Sequence, residues 1–136
     1  MSRTIDLSGR VALITGAGAG LGVTLAHTFA DAGAAVALLG RTAASVAATA
    51  DAVTAAGGRA IAIEADLRDA AAIRAAVERT AAELGRLDIL VNNAGVYPHS
   101  SLLEMPDAEW DDVMAVNLRG AFLAIREAAR VMIAQG

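Results

Sequence analysis

Cysteine is absent from the 136 residues, which excludes disulfide bridges, thiolate nucleophiles and cysteine-ligated zinc. Lysine is absent as well. All 11 basic side chains are arginine, so no step that needs an ε-ammonium group can come from this chain. Aromatics make up only 3% of the residues, which excludes a broad aromatic recognition surface and leaves a core of Ala, Val, Leu and Ile, suited to close helix-on-sheet packing. The two histidines, His27 and His99, form no cluster, so no metal site is expected. A formal net charge of −4 supplies no attraction to nucleic acid or to an anionic membrane. The 20 residues from 11 to 30 carry no charge, which is the length of a membrane span, but alternating glycines with Thr15, Thr24, His27 and Thr28 suit hydrocarbon badly. Asp6 and Arg10 interrupt the place where a signal peptide would be apolar. A soluble, cytoplasmic protein is expected, with residues 1–136 forming one domain.

Short apolar runs alternate with longer helical patterns, the signature of βαβ units and a parallel sheet covered on both faces. Strands are expected over 11–14, 35–39, 60–64 and 87–91. In the first helix Leu21, Leu25 and Phe29 share one face, and Gly33 ends it. Helices follow over 42–56 and 70–84, ended by Gly57-Gly58 and by Gly85, with Asp69 capping the second of them. A loop with Pro98 and Pro106 leads to Asp107, the expected cap of a helix through Leu118. Gly120 is expected to separate that helix from a last one ending near Gln135.

The stretch TGAGAGLG, residues 15–22, sets a glycine at every second position directly after the first strand. A strand-to-helix turn aims free N–H groups and a positive helix end at whatever lies above it, so an anion fits there. Glycine reaches backbone angles closed to other residues and lets phosphate oxygens approach the main chain. The spacing G-x-G-x-x-G is not present, because Leu21 and Val23 interrupt it; the pattern is T-G-x-x-x-G-x-G.

That spacing, with NNAG at 92–95, Asp66-Leu67 after the third strand, Trp110 in DAEWDDV and VNLRGAF at 116–122, resembles the short-chain dehydrogenase/reductase family over nearly the whole chain. The resemblance implies a Rossmann-like, doubly wound parallel sheet, here ending after about four strands in the order 3-2-1-4, with a crevice where strands one and four diverge. It further implies that Gly16, Ala19, Gly20, Leu21 and Gly22 line a pyrophosphate, that Asp66 and Leu67 meet adenine, and that Asn93, Ala94 and Gly95 run beside the adenosine ribose. The amides of Asn92 and Asn93 equally suit a structural tie between strand four and its neighbours. An NAD site carries an acid about 20 residues beyond the glycines. Here Gly40-Arg41-Thr42 stands instead, and the Arg41 guanidinium suits a 2′-phosphate. NADP is therefore expected ahead of NAD, although Ala19 stands where many NADP-using relatives have a base.

Hydride transfer to a carbonyl also needs a proton donor. The family uses Ser, Tyr and Lys in a pattern with Tyr-x-x-x-Lys, plus an upstream Asn that helps order a water and proton path. Asn117 matches that Asn, and an Asn at this place also suits a helix distortion in which it bonds its own backbone. The only tyrosine, Tyr97, directly follows NNAG and is not the family's catalytic one; His99, in the same loop, and His27 read as bystanders. Asp111 and Asp112 read as solvated surface. The expectation is an NAD(P)-dependent oxidoreductase's cofactor-binding half, inactive alone; the alternative is a noncatalytic dinucleotide-binding or interaction protein. If the family's order 3-2-1-4-5 holds, strand four is an open edge, and a homo-oligomer formed through that edge or the last helix is expected.

Overall fold

The computed structural model describes residues 5–136. Strand and helix alternate as β1 (Val11–Thr15), α1 (Leu21–Asp31), β2 (Ala35–Gly40), α2 (Ala43–Ala55), β3 (Arg59–Glu64), α3 (Ala70–Leu84) and β4 (Ile89–Val91), followed by α4 (Asp107–Val113), a π-helical segment (Met114–Gly120) and α5 (Ala121–Gln135). The four strands form one parallel sheet in the order β3-β2-β1-β4. β1 is central, with Leu13 opposite Ala37 on one side and Leu90 on the other. No described helix is long and apolar enough to cross a membrane.

The two-residue period of a strand sends neighbouring β1 side chains to opposite faces. Val11 and Leu13 enter one core with Ile73 and Val77 of α3 and Leu123 of α5. Ala12 and Ile14 enter the other with Ala26 of α1 and Val53 of α2. Both faces of the sheet are thus covered by helices, which is why its strands read as continuous apolar runs. On the α3–α5 side the buried Glu127 carboxylate receives Arg74, Arg126 and Arg130. Burial pushes this carboxyl up, but the hydrogen bond from Arg126 and the three positive charges outweigh it and hold it below the ordinary range.

Helix ends follow local chemistry. Asp69 caps α3 as expected, its carboxylate accepting from the N–H groups of Ala71 and Ala72 at 2.9 and 3.2 Å. Gly85 closes the same helix in the left-handed conformation, with φ 92°. Other boundaries shift. β4 begins at Ile89 rather than 87, and the Leu87 N–H and C=O are both taken by the Gln135 side chain. Pro106 occupies the N-cap position of α4, with Asp107 inside the first turn and making no cap bond. Gly120 does not break the last helix: its φ of −60° is helical and the chain runs on into α5. The glycine answers a close approach instead, since a Cβ there would lie 2.9 Å from Leu67 Cβ. Leu21, expected on the inward face of α1, is 65% exposed at the open first turn, while Leu25 and Phe29 do pack on the core.

Asp88 ties the entrance of the sheet together. Oδ2 accepts the Val11 N–H at 2.9 Å, Oδ1 accepts from Arg10, and Arg86 donates to both oxygens. The Arg86 guanidinium, aided by the Val11 N–H and Arg10, holds this carboxyl below its ordinary range. Because the native value is lowered, its stabilisation is present above the unfolded value near ~4 and fades as pH falls through the native one. Asp88→Asn is expected to destabilise the chain by roughly 1–3 kcal/mol at neutral pH. Urea titrations at several pH values check this: the difference between the two proteins should be full at neutral pH and narrow as pH falls below the ordinary carboxylate range.

Candidate functional site

The sheet order reverses at β1, and there the β1–α1 turn and the segment after β4 part to form a crevice of ≈ 510 Å³. A buried hydroxyl builds its floor. Thr15 Oγ1 accepts the N–H groups of Asn93 and Ala94 at 3.1 and 3.0 Å, and the Asn93 side-chain amide donates back to the carbonyls of Thr15 and Gly16. Asn93 is thereby committed to joining the two loops, the structural role its amide suggested. The role of Thr15 was not recognised in the sequence, although its place at the head of the glycine run is the signal that identifies it.

Three of the four glycines are crowded by the protein itself rather than kept bare for a ligand. A Cβ on Gly16, whose φ is 64°, would lie 2.8 Å from Ala94 Cα. A Cβ on Gly18 would lie 2.5 Å from Ser45 Oγ, and one on Gly22 would lie within 2.0 Å of the Gly16 carbonyl oxygen. Gly20 differs: it has φ 54°, no atom within 4 Å of a built Cβ, and stands at the N-cap of α1. That helix end has neither a side-chain cap nor an acid in its first turn, so its positive end is left uncompensated.

Nine of the expected residues share the crevice: Gly16, Ala19 and Leu21 from the glycine turn, Arg41 after β2, Asp66 and Leu67 after β3, and Asn93, Ala94 and Gly95 after β4. Gly20 and Gly22 are not part of its lining, one capping α1 and the other buried beneath the turn. Tyr97, from the loop that follows NNAG, joins the wall, as do Ser45 and Val116, which were not expected there. The Tyr97 ring folds back on Gly95, where a Cβ would lie 2.6 Å from its hydroxyl. His99 is exposed and His27 half-buried, and neither lines the crevice.

Asn117 sits in the π-helical segment and grips the Val96 peptide across the gap rather than its own backbone. Its Oδ1 accepts from Val96 N–H at 2.8 Å and its Nδ2 donates to Val96 C=O at 2.9 Å. The second correction is Asp112, which is not free surface. Arg68 forks onto it, Nε to Oδ1 at 2.6 Å and Nη2 to Oδ2 at 2.9 Å. Arg68 also donates from Nη1 to Asp66 Oδ1 at 3.0 Å, an oxygen that accepts the Arg68 N–H as well. That backbone bond first, then the guanidinium, holds the Asp66 carboxyl below its ordinary range. Arg41 adds a weaker pull on both acids.

A parallel sheet ordered 3-2-1-4, covered by helices on both faces and cleft at its reversal point, defines a Rossmann-like α/β domain. The family model for short chain dehydrogenases matches residues 10–136, and the chain belongs to the short-chain dehydrogenase/reductase family. It is 40% identical over 133 residues to 2-dehydro-3-deoxy-D-gluconate 5-dehydrogenase of Dickeya dadantii, matching 98% of this chain and 52% of that protein. It is 38% identical to D-threitol dehydrogenase of Mycolicibacterium smegmatis, matching 96% of this chain and 50% of that protein. Among solved structures, a short-chain type dehydrogenase/reductase from Mycobacterium marinum superposes with a TM-score of 0.94 at 38% identity, covering 99% of this chain and 56% of that one. The chain spans about half the length of the curated relatives it matches.

Thr15→Val keeps the shape of the side chain but leaves the Ala94 N–H without an acceptor, while the Asn93 N–H keeps the Val91 carbonyl at 3.1 Å. It is expected to cost about 1–3 kcal/mol in urea unfolding, with Thr15→Ser much closer to the parent protein. Equal stability of the valine and threonine proteins would show that the hydroxyl does not hold the floor.

Proposed function

We propose that this chain is the cofactor-binding half of an NAD(P)-dependent oxidoreductase, that it prefers NADP, and that the 136 residues alone do not catalyse hydride transfer. The observation that carries the reading is the uncapped, solvent-exposed α1 N-terminus at Gly20, flanked by Ala19 and Leu21, which line the crevice together with residues 93–95. The residues fit the group. The volume lies in the range of cofactor sites, and the glycine turn offers main-chain N–H groups with no carboxylate among them.

In this reading the turn at Gly16, Ala19, Gly20 and Leu21 holds the pyrophosphate with Gly22 packed beneath it, Asp66 and Leu67 hold the adenine, and Asn93, Ala94 and Gly95 support the ribose. The bound dinucleotide supplies or takes up hydride. Asn117 contributes by fixing Val96, which holds the segment after Gly95 in place beside the crevice. The absence of any lysine from these residues supports inactivity in isolation, because nothing here supplies the ammonium of a Tyr-x-x-x-Lys pattern. The same fact favours the second reading, a noncatalytic dinucleotide-binding or interaction protein.

Arg41 lies exposed on the crevice wall and makes no hydrogen bond or ion pair among the described residues, which leaves it available to a 2′-phosphate. Fluorescence titration is expected to give a lower Kd for NADPH than for NADH, and Arg41→Ala to raise the NADPH value about tenfold while sparing NADH. Tighter NADH binding by the parent chain overturns the preference, and carbonyl reduction by the purified chain overturns the inactivity.

Self-association belongs to the same proposal. Leu118, Phe122 and Ile125 are each more than half exposed along the last helical stretch, an apolar surface that a second copy would cover. Light scattering is expected to give a dimer or larger species, weakened by Phe122→Glu. A monomer at all working concentrations removes this part of the proposal.

A further inference from the structure

Arg68 is shared by two acids with different surroundings. Its Nε–Nη2 edge is used on Asp112 of α4, and only Nη1 reaches Asp66. Both of the Arg68 bonds to Asp66 fall on Oδ1, so Oδ2 accepts no hydrogen bond among the described residues, while Asp66 itself lines the crevice. The segment is anchored from the same helical stretch at two further points. Arg119 donates to the Arg68 carbonyl at 3.2 Å, and Gly120 lies against Leu67.

An arginine forked onto an acid two residues away occurs elsewhere in the chain. Arg86, two residues before Asp88, turns its Nε and Nη2 onto both oxygens of that carboxylate at 2.6 to 2.9 Å. Arg68 and Asp66 have the same two-residue separation in the reverse order. A guanidinium released by Asp112 is therefore able to fork onto Asp66, occupying both oxygens and cancelling its charge.

We propose that Asp112 is a positioning residue for the purine end of the crevice: by holding one edge of Arg68, it keeps an Asp66 oxygen free to accept from an exocyclic amino group. This rests on the dinucleotide reading above. Its signature is selectivity for adenine over a purine that lacks the amino group, a property that a merely structural ion pair would not control. Asp112 never touches the ligand in this scheme; it acts through Arg68.

The test compares NADPH with its hypoxanthine analogue by fluorescence titration, in the parent chain, Asp112→Ala, and the double variant Arg68→Ala/Asp112→Ala. The parent is expected to favour the adenine form about tenfold, the single variant about twofold, and the double variant to recover to about fivefold, because no guanidinium remains to mask Asp66. An unchanged ratio in Asp112→Ala overturns the inference, as does a double variant no more selective than the single one. A parent chain that binds both dinucleotides equally also overturns it, leaving the cofactor reading intact. A parent chain that binds neither removes the cofactor reading and this inference with it. Melting curves for each variant separate lost selectivity from lost fold, and Asp112→Asn replaces any alanine protein that does not fold.

Discussion

Two parallel strands that lie side by side need not keep their following loops together, and here a buried hydroxyl does it. Thr15 accepts two consecutive main-chain N–H groups from the segment after β4, while Asn93 returns two bonds to the end of β1. The arrangement satisfies the Ala94 N–H, which has no other acceptor, and leaving such a group desolvated and unpaired costs about 1–3 kcal/mol. It also sets how near the two loops come. Gly16 and Ala94 pass so closely that no side chain fits at the first, and the crevice opens immediately above.

A second set of contacts comes from the continuous helical stretch of α4, the π-helical segment and α5. Asn117 holds the Val96 peptide on one side of the crevice, and Asp112, Arg119 and Gly120 hold the segment around Leu67 and Arg68 on the other. One rigid element therefore supports both walls. The π-helical turn falls where Asn117 makes its cross-chain bonds, consistent with the tendency of such turns to occur at functional positions.

The elements were largely legible because their signals are local. Apolar runs of strand length, glycine stops and the Asp69 cap each act within a few residues and located the four strands, whereas their order in the sheet came from the family resemblance. The errors arose where distant groups intervene. Nothing near Leu87 reveals that Gln135 will take its peptide, and nothing beside Gly120 reveals that Leu67 will press on it. Asp112 looked solvated because its partner lies 44 residues away. The glycine run was read as room for an approaching phosphate, and the atoms that crowd Gly16, Gly18 and Gly22 belong to the protein. Spacing alone does not distinguish a neighbour within the chain from one outside it.

The interior beneath α1 is lined by Ala12, Ala17 and Ala26, each with 0% of its surface exposed. A methyl group is already the smallest side chain that fills space, so substitution at these sites can hardly open a void. Almost every replacement adds volume to a layer packed at crystal-like density, and overpacking of that kind costs about 1–3 kcal/mol. Tolerance in this part of the molecule is consequently one-sided: enlargement rather than truncation is the direction in which the sequence is not free to drift.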